Sequence, residues 1–197
     1  MLSLSGIHKR FDGILALRDV NVAFSQGEVH ALVGENGAGK STLGKIIAGL
    51  YPPDAGRYEI DGREVSFSST LEAQRASVCM IFQELDLFPH LSVAENLAIG
   101  NLKAPSSSWV NFKSLESWTQ PLLDEVELPV PAKSLVGDLP MGHQQLVAIA
   151  RALSMDARYV VMDEPTSSLT HNDVTILFRI IAKLKERGVG IIYVSHK

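Results

Sequence analysis

The chain has 197 residues, 46% apolar and 20% charged, with a formal net charge of −4 and a single cysteine. That length corresponds to one large domain or a core with a smaller appendage, and the composition is that of a globular chain able to bury its own core. No apolar run approaches the roughly 18 residues that a membrane-spanning helix needs, the acidic balance gives no general attraction for nucleic acid, and Cys79 has no partner for an internal disulfide. Within Ser77-Val78-Cys79-Met80-Ile81-Phe82 that cysteine reads as a small buried hydrophobe, and no secretory signal opens the chain, so the reducing cytoplasm is the expected compartment.

In chain order, Ser3 to Ile7 and Leu17 to Phe24 alternate as short strands, and Glu28 to Val33 is a strand that runs into a glycine-rich loop. The apolar spacing from Ser41 to Leu50 predicts a helix, stopped by the turn residues Tyr51-Pro52-Pro53-Asp54-Ala55-Gly56. Ser77 to Phe82 is the next strand. From Leu91 to about Leu153 the period is helical, interrupted at Ala104-Pro105-Ser106-Ser107-Ser108 and at Leu128-Pro129-Val130-Pro131. Arg158 to Met162 is a short apolar run bounded by acids. Asn172 to Arg187 carries Val174, Leu177, Ile180, Ile181 and Leu184 on one helical face, Gly188 stops it, and Val189 to Val194 is a strand. Strand, helix, strand in this order implies a parallel sheet, and no internal repeat is evident.

Two motifs carry chemistry. Gly34-Glu35-Asn36-Gly37-Ala38-Gly39-Lys40-Ser41 fits G-x-x-x-x-G-K-[ST] between an apolar strand and a helix, the context the motif requires. Its glycines let backbone N–H groups turn inward around phosphate oxygens, Lys40 brings a point charge to the β- and γ-phosphates, and the Ser41 hydroxyl can ligate Mg²⁺. The plain alternative is a glycine-rich turn beside a surface lysine. The second motif is Tyr159-Val160-Val161-Met162-Asp163-Glu164, four apolar residues ending in two acids. A buried strand delivers carboxylates only where it emerges, so Asp163 is expected beside the phosphate loop, reaching Mg²⁺ directly or through water. Glu164 points elsewhere and is suited to orient or deprotonate an attacking water. In isolation the pair would read as solvated acids at a strand end; the phosphate loop changes that reading.

With three further elements in the same order, these motifs resemble the nucleotide-binding cassette of the ATP-binding cassette (ABC) family across nearly the whole chain. The resemblance implies an α/β fold: a P-loop NTPase core with a parallel sheet, an N-terminal antiparallel β region and an inserted α-helical subdomain. It places the core in residues 1–90 and 154–197 and the helical subdomain in 91–153. It also implies a contact from Gln83 to Mg²⁺ and the attacking water, a contact from His196 to the γ-phosphate, and stacking of Phe11 on adenine. The phosphate loop, from Gly34 through Glu35, Asn36, Gly37, Ala38, Gly39, Lys40 and Ser41 to Thr42, would hold ATP. Each of the three added residues has an ordinary account: Gln83 as a polar strand cap, His196 as a solvated strand end, and Phe11 as core. Their order and spacing favour the functional one.

Within the family, Phe82-Gln83-Glu84-Leu85, Pro89 to Asn96 and Asp163 to Thr170 look most like bacterial sugar importers. Those carry two cassettes in one polypeptide, act at the cytoplasmic face of the membrane, and work with permease subunits and, indirectly, an extracytoplasmic sugar-binding protein. By the same resemblance this would be the first cassette, and Leu85-Asp86-Leu87-Phe88-Pro89 would be the surface that docks on the permease. Thr170, where most cassettes have Asp, also reads as the start of a capping box with Asp173.

Two departures stand out. The family signature L-S-G-G-Q is here Leu139-Pro140-Met141-Gly142-His143, ahead of an amphipathic helix bearing Leu146, Ile149, Ala150 and Leu153. In the family this segment caps the γ-phosphate held by the opposite cassette. Gly142 keeps an N–H for that contact in trans, whereas Pro140 has neither hydroxyl nor N–H, so slow turnover or a clamping role is expected for that site. The family cassette also continues beyond His196, so a C-terminally incomplete cassette with its last strand at an open sheet edge is expected. Two other functions fit the motifs: a soluble ABC ATPase acting on ribosomes or nucleic acid, which the charge disfavours, and a low-turnover nucleotide switch, which Pro140 favours.

Overall fold

The chain opens with a hairpin built by Asp12-Gly13, both at positive φ, the type I′ geometry whose twist matches that of paired strands. In this computed structural model, which describes residues 1–101, 103–105, 112–167 and 169–196, the hairpin joins β1 (Leu2–Phe11) to β2 (Ile14–Phe24). Both strands are longer than the alternation predicts. Register shifts between Leu4 and Ile7 and again before Arg10, with Gly6 at φ 62, break the two-residue period on which that reading depends.

The chain divides into two compact units, Met1–Met80 with Arg158–Glu164 and Lys183–Lys197, and Ile81–Ala157 with Pro165–Ala182. The division differs from boundaries at 90 and 154, because residues 81–90 and 165–182 cluster with the helical unit.

The first unit contains two sheets. β1 lies between β2 and β4 (Ala55–Ile60), with β5 (Arg63–Glu64) beyond, in an antiparallel sheet. The second sheet has the order β3 (Val29–Val33), β8 (Gly190–Ser195), β7 (Tyr159–Asp163), β6 (Val78–Ile81), with β3 and β7 each parallel to β8. All five residues of β7 are buried, the continuous apolar run expected of an inner parallel strand. Leu43, Ile46 and Ile47 of α1 (Lys40–Ile47) join Leu2, Leu4, Phe24, Tyr58, Val161, Ile192 and Val194 in one core. Each such side chain is worth about 1.5–3 kcal/mol when fully buried. Cys79 is buried, as its setting predicts.

One expectation is corrected. The last strand does not form the open edge: β8 sits inside its sheet, flanked on both sides, and β3 lies at the margin with Val29 and Val33 exposed. Sequence order alone cannot reveal this, because parallel neighbours are joined by long crossovers and need not be consecutive.

The second unit is helical. α3 (Val93–Ala98) starts with a capping box in which the Ser92 hydroxyl accepts from the Glu95 N–H while the Glu95 carboxylate accepts from the Ser92 N–H. It packs with α4 (Phe112–Glu125) and α5 (Met141–Ser154) around Leu97, Leu115, Leu123, Val147 and Ile149. The interruption at 104–108 lies partly outside the described residues, as do Ser168 and Lys197. A short α2 (Thr70–Arg75) belongs to the first unit, and α6 (His171–Glu186) begins at Thr170–Asp173 as a true capping box. Among the described residues no helix is long and apolar enough to cross a membrane.

Candidate functional site

Where β3 ends, the chain turns through residues 34–39 and enters α1 with Gly39 as its N-cap, at φ 86 and without a capping side chain. A Cβ at Gly39 would lie 2.6 Å from the Ala16 carbonyl oxygen and from Leu17 Cδ2, so only glycine fits both the space and the left-handed backbone. With no side chain on the first N–H groups of α1, the helix start presents free donors and the positive end of its dipole to an anion. Gly37, also left-handed, lies in open space within the same loop. Lys40 folds over the loop, its Nζ donating to the Gly34 carbonyl at 2.7 Å and the Glu35 carbonyl at 2.9 Å. The ammonium is thereby stationed on the loop that the helix start opens onto.

Parallel strands deliver their carboxyl ends to the same side of a sheet, and the end of β7 completes the arrangement. Ser41 Oγ donates to Asp163 Oδ1 at 2.9 Å, joining residues 122 apart in sequence. Asp163 is only 5% exposed, so it meets this hydroxyl largely out of water. Glu164 turns away, as its strand-end position predicts: its backbone is left-handed (φ 47), its N–H donates to the Val194 carbonyl at 3.0 Å, and its Oε1 lies 3.0 Å from His196 Nδ1. A non-glycine residue holds such a φ only where its surroundings over-determine it. Here the β7–β8 register, with Asp163 opposite Val194, and the His196 contact do so.

The donor set fits a small hard cation. Ser41 and Asp163 offer two oxygens side by side, and among the described residues no group of three or more His, Cys, Asp or Glu could form a cage of its own. Two protein oxygens, with the rest from phosphate and water, is the usual provision for Mg²⁺.

The other sequence-predicted residues are placed as follows. Phe11 is the last pair of the β1–β2 ladder, opposite Ile14, and is 37% exposed. Thr42 is half-buried in the first turn of α1. Gln83 is exposed just beyond β6 and belongs to the second unit. Pro140 is the N-cap of α5, not its first helical residue, and makes no side-chain capping bond. Gly142 is buried at the start of α5, and a Cβ there would run into the Asp173 carboxylate, which would have to move aside.

Asn96 has a role that the sequence did not disclose. Fully buried, it accepts from the Phe88 N–H at 2.7 Å and donates to the carbonyls of Phe88, Leu91 and Ser92. With the Arg151 guanidinium on the Asp86 carbonyl, it fixes loop 85–91, whose Phe88 remains exposed. Asn96→Leu leaves the Phe88 N–H without its acceptor, while the Phe88, Leu91 and Ser92 carbonyls each keep a backbone donor from Leu91, Val136 and residue 96; an unpaired buried N–H costs about 1–3 kcal/mol, so the fold should lose about 2 kcal/mol. Urea unfolding is the check, and a loss below about 1 kcal/mol would show that the loop holds itself.

A glycine-rich turn into a helix, a lysine stationed on it, and a buried carboxylate from an adjacent parallel strand meeting its serine define a P-loop nucleoside-triphosphatase fold. The comparisons agree. The family profile described as ABC transporter matches residues 17–167, and the chain belongs to that family. It is 48% identical over 197 residues to a putative ribose/galactose/methyl galactoside import ATP-binding protein of Burkholderia ambifaria, covering all of this chain and 38% of that one. It is 50% identical over 196 residues to a ribose import ATP-binding protein of Rubrobacter xylanophilus, covering 98% of this chain and 38% of that protein. The chain thus spans well under half the length of these curated relatives. Among solved structures, a nucleotide-free ATP-binding cassette from an ABC transporter superposes with TM-score 0.86 at 26% identity, covering 100% of this chain and 81% of that one. A dimeric bacterial ABC transporter cassette does so with TM-score 0.85 at 27% identity, covering 100% and 88%.

Proposed function

We propose that the chain is the ATP-binding and hydrolysing part of an ABC importer that energises sugar uptake at the cytoplasmic face of the membrane. The Ser41–Asp163 contact at 2.9 Å carries the reading, because it brings a phosphate-loop hydroxyl and the carboxylate at the end of β7 side by side, the pair of oxygens that would hold Mg²⁺. The names of the relatives support sugar as the cargo class.

Each residue has a definite task. The 34–42 loop and Lys40 bind the triphosphate, Phe11 stacks on adenine, and Ser41 with Asp163, joined by Gln83, holds Mg²⁺. When bound, Mg²⁺ supplies charge neutralisation on the β- and γ-phosphate oxygens. Glu164 orients the attacking water and accepts its proton. His196, held through Nδ1 on Glu164, presents Nε2 to the γ-phosphate. Gly142 of a second cassette, fused or dimeric, closes the site from the other side, and the 85–89 loop passes that closure to permease subunits fed by an extracytoplasmic sugar-binding protein. Copurification of the full-length protein is the test: a membrane permease supports this reading, whereas a ribosome or nucleic acid would overturn it.

A low-turnover switch is the second reading, and one observation favours it: α5 begins on a proline with no capping hydroxyl. Pro140→Ser would restore a group able to reach both the helix N–H groups and a facing γ-phosphate. Regaining about 1.5–3 kcal/mol in the transition state corresponds to a roughly ten- to hundredfold gain in kcat for the site capped by this segment. ATPase assay of the full-length protein with its permease measures it, and an unchanged kcat and ATP affinity would show that backbone groups already suffice.

A further inference from the structure

Phe11 is a large apolar ring left partly in solvent at the tip of a hairpin, a place where side chains are ordinarily free to reorient. It is not free here. Tyr51 meets it edge to face, with ring centroids 5.1 Å apart and planes at 69°. Lys9, two residues earlier in β1, holds its Nζ 5.4 Å from the Phe11 centroid. This lysine is only 8% exposed, unusual for a residue type that normally keeps its ammonium in water.

The ammonium is held there by Asp54, whose Oδ1 accepts from Lys9 Nζ at 2.7 Å while Oδ2 accepts from the Arg10 N–H at 2.7 Å. Asp54 is itself tied to the strand, its N–H donating to the His8 carbonyl at 2.9 Å. The Lys9 hydrogen bond, then that from Arg10, holds the Asp54 carboxyl below the usual carboxylate range. Tyr51 and Asp54 are joined by Pro52-Pro53, whose fixed φ angles make the connection stiff. One rigid turn therefore brings both the ring and the carboxylate that hold the Phe11 platform.

We propose that Lys9 and Tyr51 are positioning residues for base binding: together they fix the Phe11 ring as a preorganised stacking surface for the adenine of a nucleoside triphosphate. This rests on the stacking role proposed for Phe11. A ring already held in place loses little freedom when a base covers it, and an ammonium over an aromatic ring is attracted by its quadrupole. Neither residue touches the phosphates in this assignment, so both act on the base end of the ligand alone.

That separation gives the test. The full-length protein carrying this chain is titrated with ATP and with inorganic tripolyphosphate, the relevant site being the one that Lys40→Ala weakens. Lys9→Met and Tyr51→Leu should each weaken ATP about five- to tenfold and leave tripolyphosphate unchanged, while Lys9→Arg, which keeps the cation, should retain ATP affinity. Adding Lys9→Met to Phe11→Leu should cost nothing further. Equal losses for ATP and tripolyphosphate would mean a general disturbance of the fold and would overturn the proposal. So would a Phe11→Leu protein that loses ATP affinity while Lys9→Met and Tyr51→Leu keep it; in that case stacking on Phe11 stands and only its preorganisation fails. A Phe11→Leu protein that binds ATP normally would instead remove the stacking role itself.

Discussion

Lys40→Ala should weaken ATP binding by about two to four orders of magnitude while the protein remains folded. Lys40 Nζ spends two short hydrogen bonds on the Gly34 and Glu35 carbonyls, and these are the acceptors that phosphate oxygens would replace. A charge-assisted hydrogen bond is worth about 1.5–3 kcal/mol net, so losing two corresponds to about 3–6 kcal/mol, a roughly hundred- to ten-thousandfold weaker Kd. Stability should change little, because alanine has the best intrinsic helix propensity, the Lys40–Glu35 bond is exposed, and the Glu35 carbonyl keeps the Ala38 N–H. Calorimetric titration of the full-length variant, with a thermal melt to confirm folding, measures both expectations. Undiminished affinity would mean that Lys40 is a surface lysine and that the loop is only a turn.

Much of this site was legible because its chemistry is local. Gly34 to Ser41 encodes a loop conformation and a helix start within eight consecutive residues, and β7 announces itself as an apolar run ending in acids because an inner parallel strand has no solvent face. The Thr170–Asp173 capping box was readable for the same reason. What escaped depends on partners far along the chain. β4 is half polar, since only Tyr58 and Ile60 turn to the core, and it forms a strand because β1 is available to pair with it. β1 hid part of its length behind bulges at Gly6. The margin position of β3 follows from β8 inserting between β3 and β7, a choice of strand order that no local pattern encodes. Asn96 looked like any polar residue in a short helix, and its burial follows from the loop carbonyls folding back over it.

The Glu164–His196 contact belongs to the same class of long-range consequence, and it sharpens the other large expected effect. Glu164→Gln should leave ATP affinity intact and slow hydrolysis by about two to four orders of magnitude at the site containing it. The substitution is nearly isosteric. The left-handed backbone at 164 is held by the N–H bond to Val194, which glutamine keeps, and the side-chain oxygen can still accept from His196 Nδ1. Binding should persist because Lys40, Ser41 and Asp163 are untouched, and their geometry does not pass through the Glu164 side chain. What disappears is the capacity to take a proton, since an amide oxygen is far too weak a base at neutral pH. The loss should therefore fall on kcat and not on Kd, the signature of a group that acts only in the transition state. Single-turnover hydrolysis with the intact transporter isolates that step. A wild-type rate constant there would mean that Glu164 is an ordinary acid at the end of a strand, held by His196 for structural reasons alone, and that the water is activated by another group.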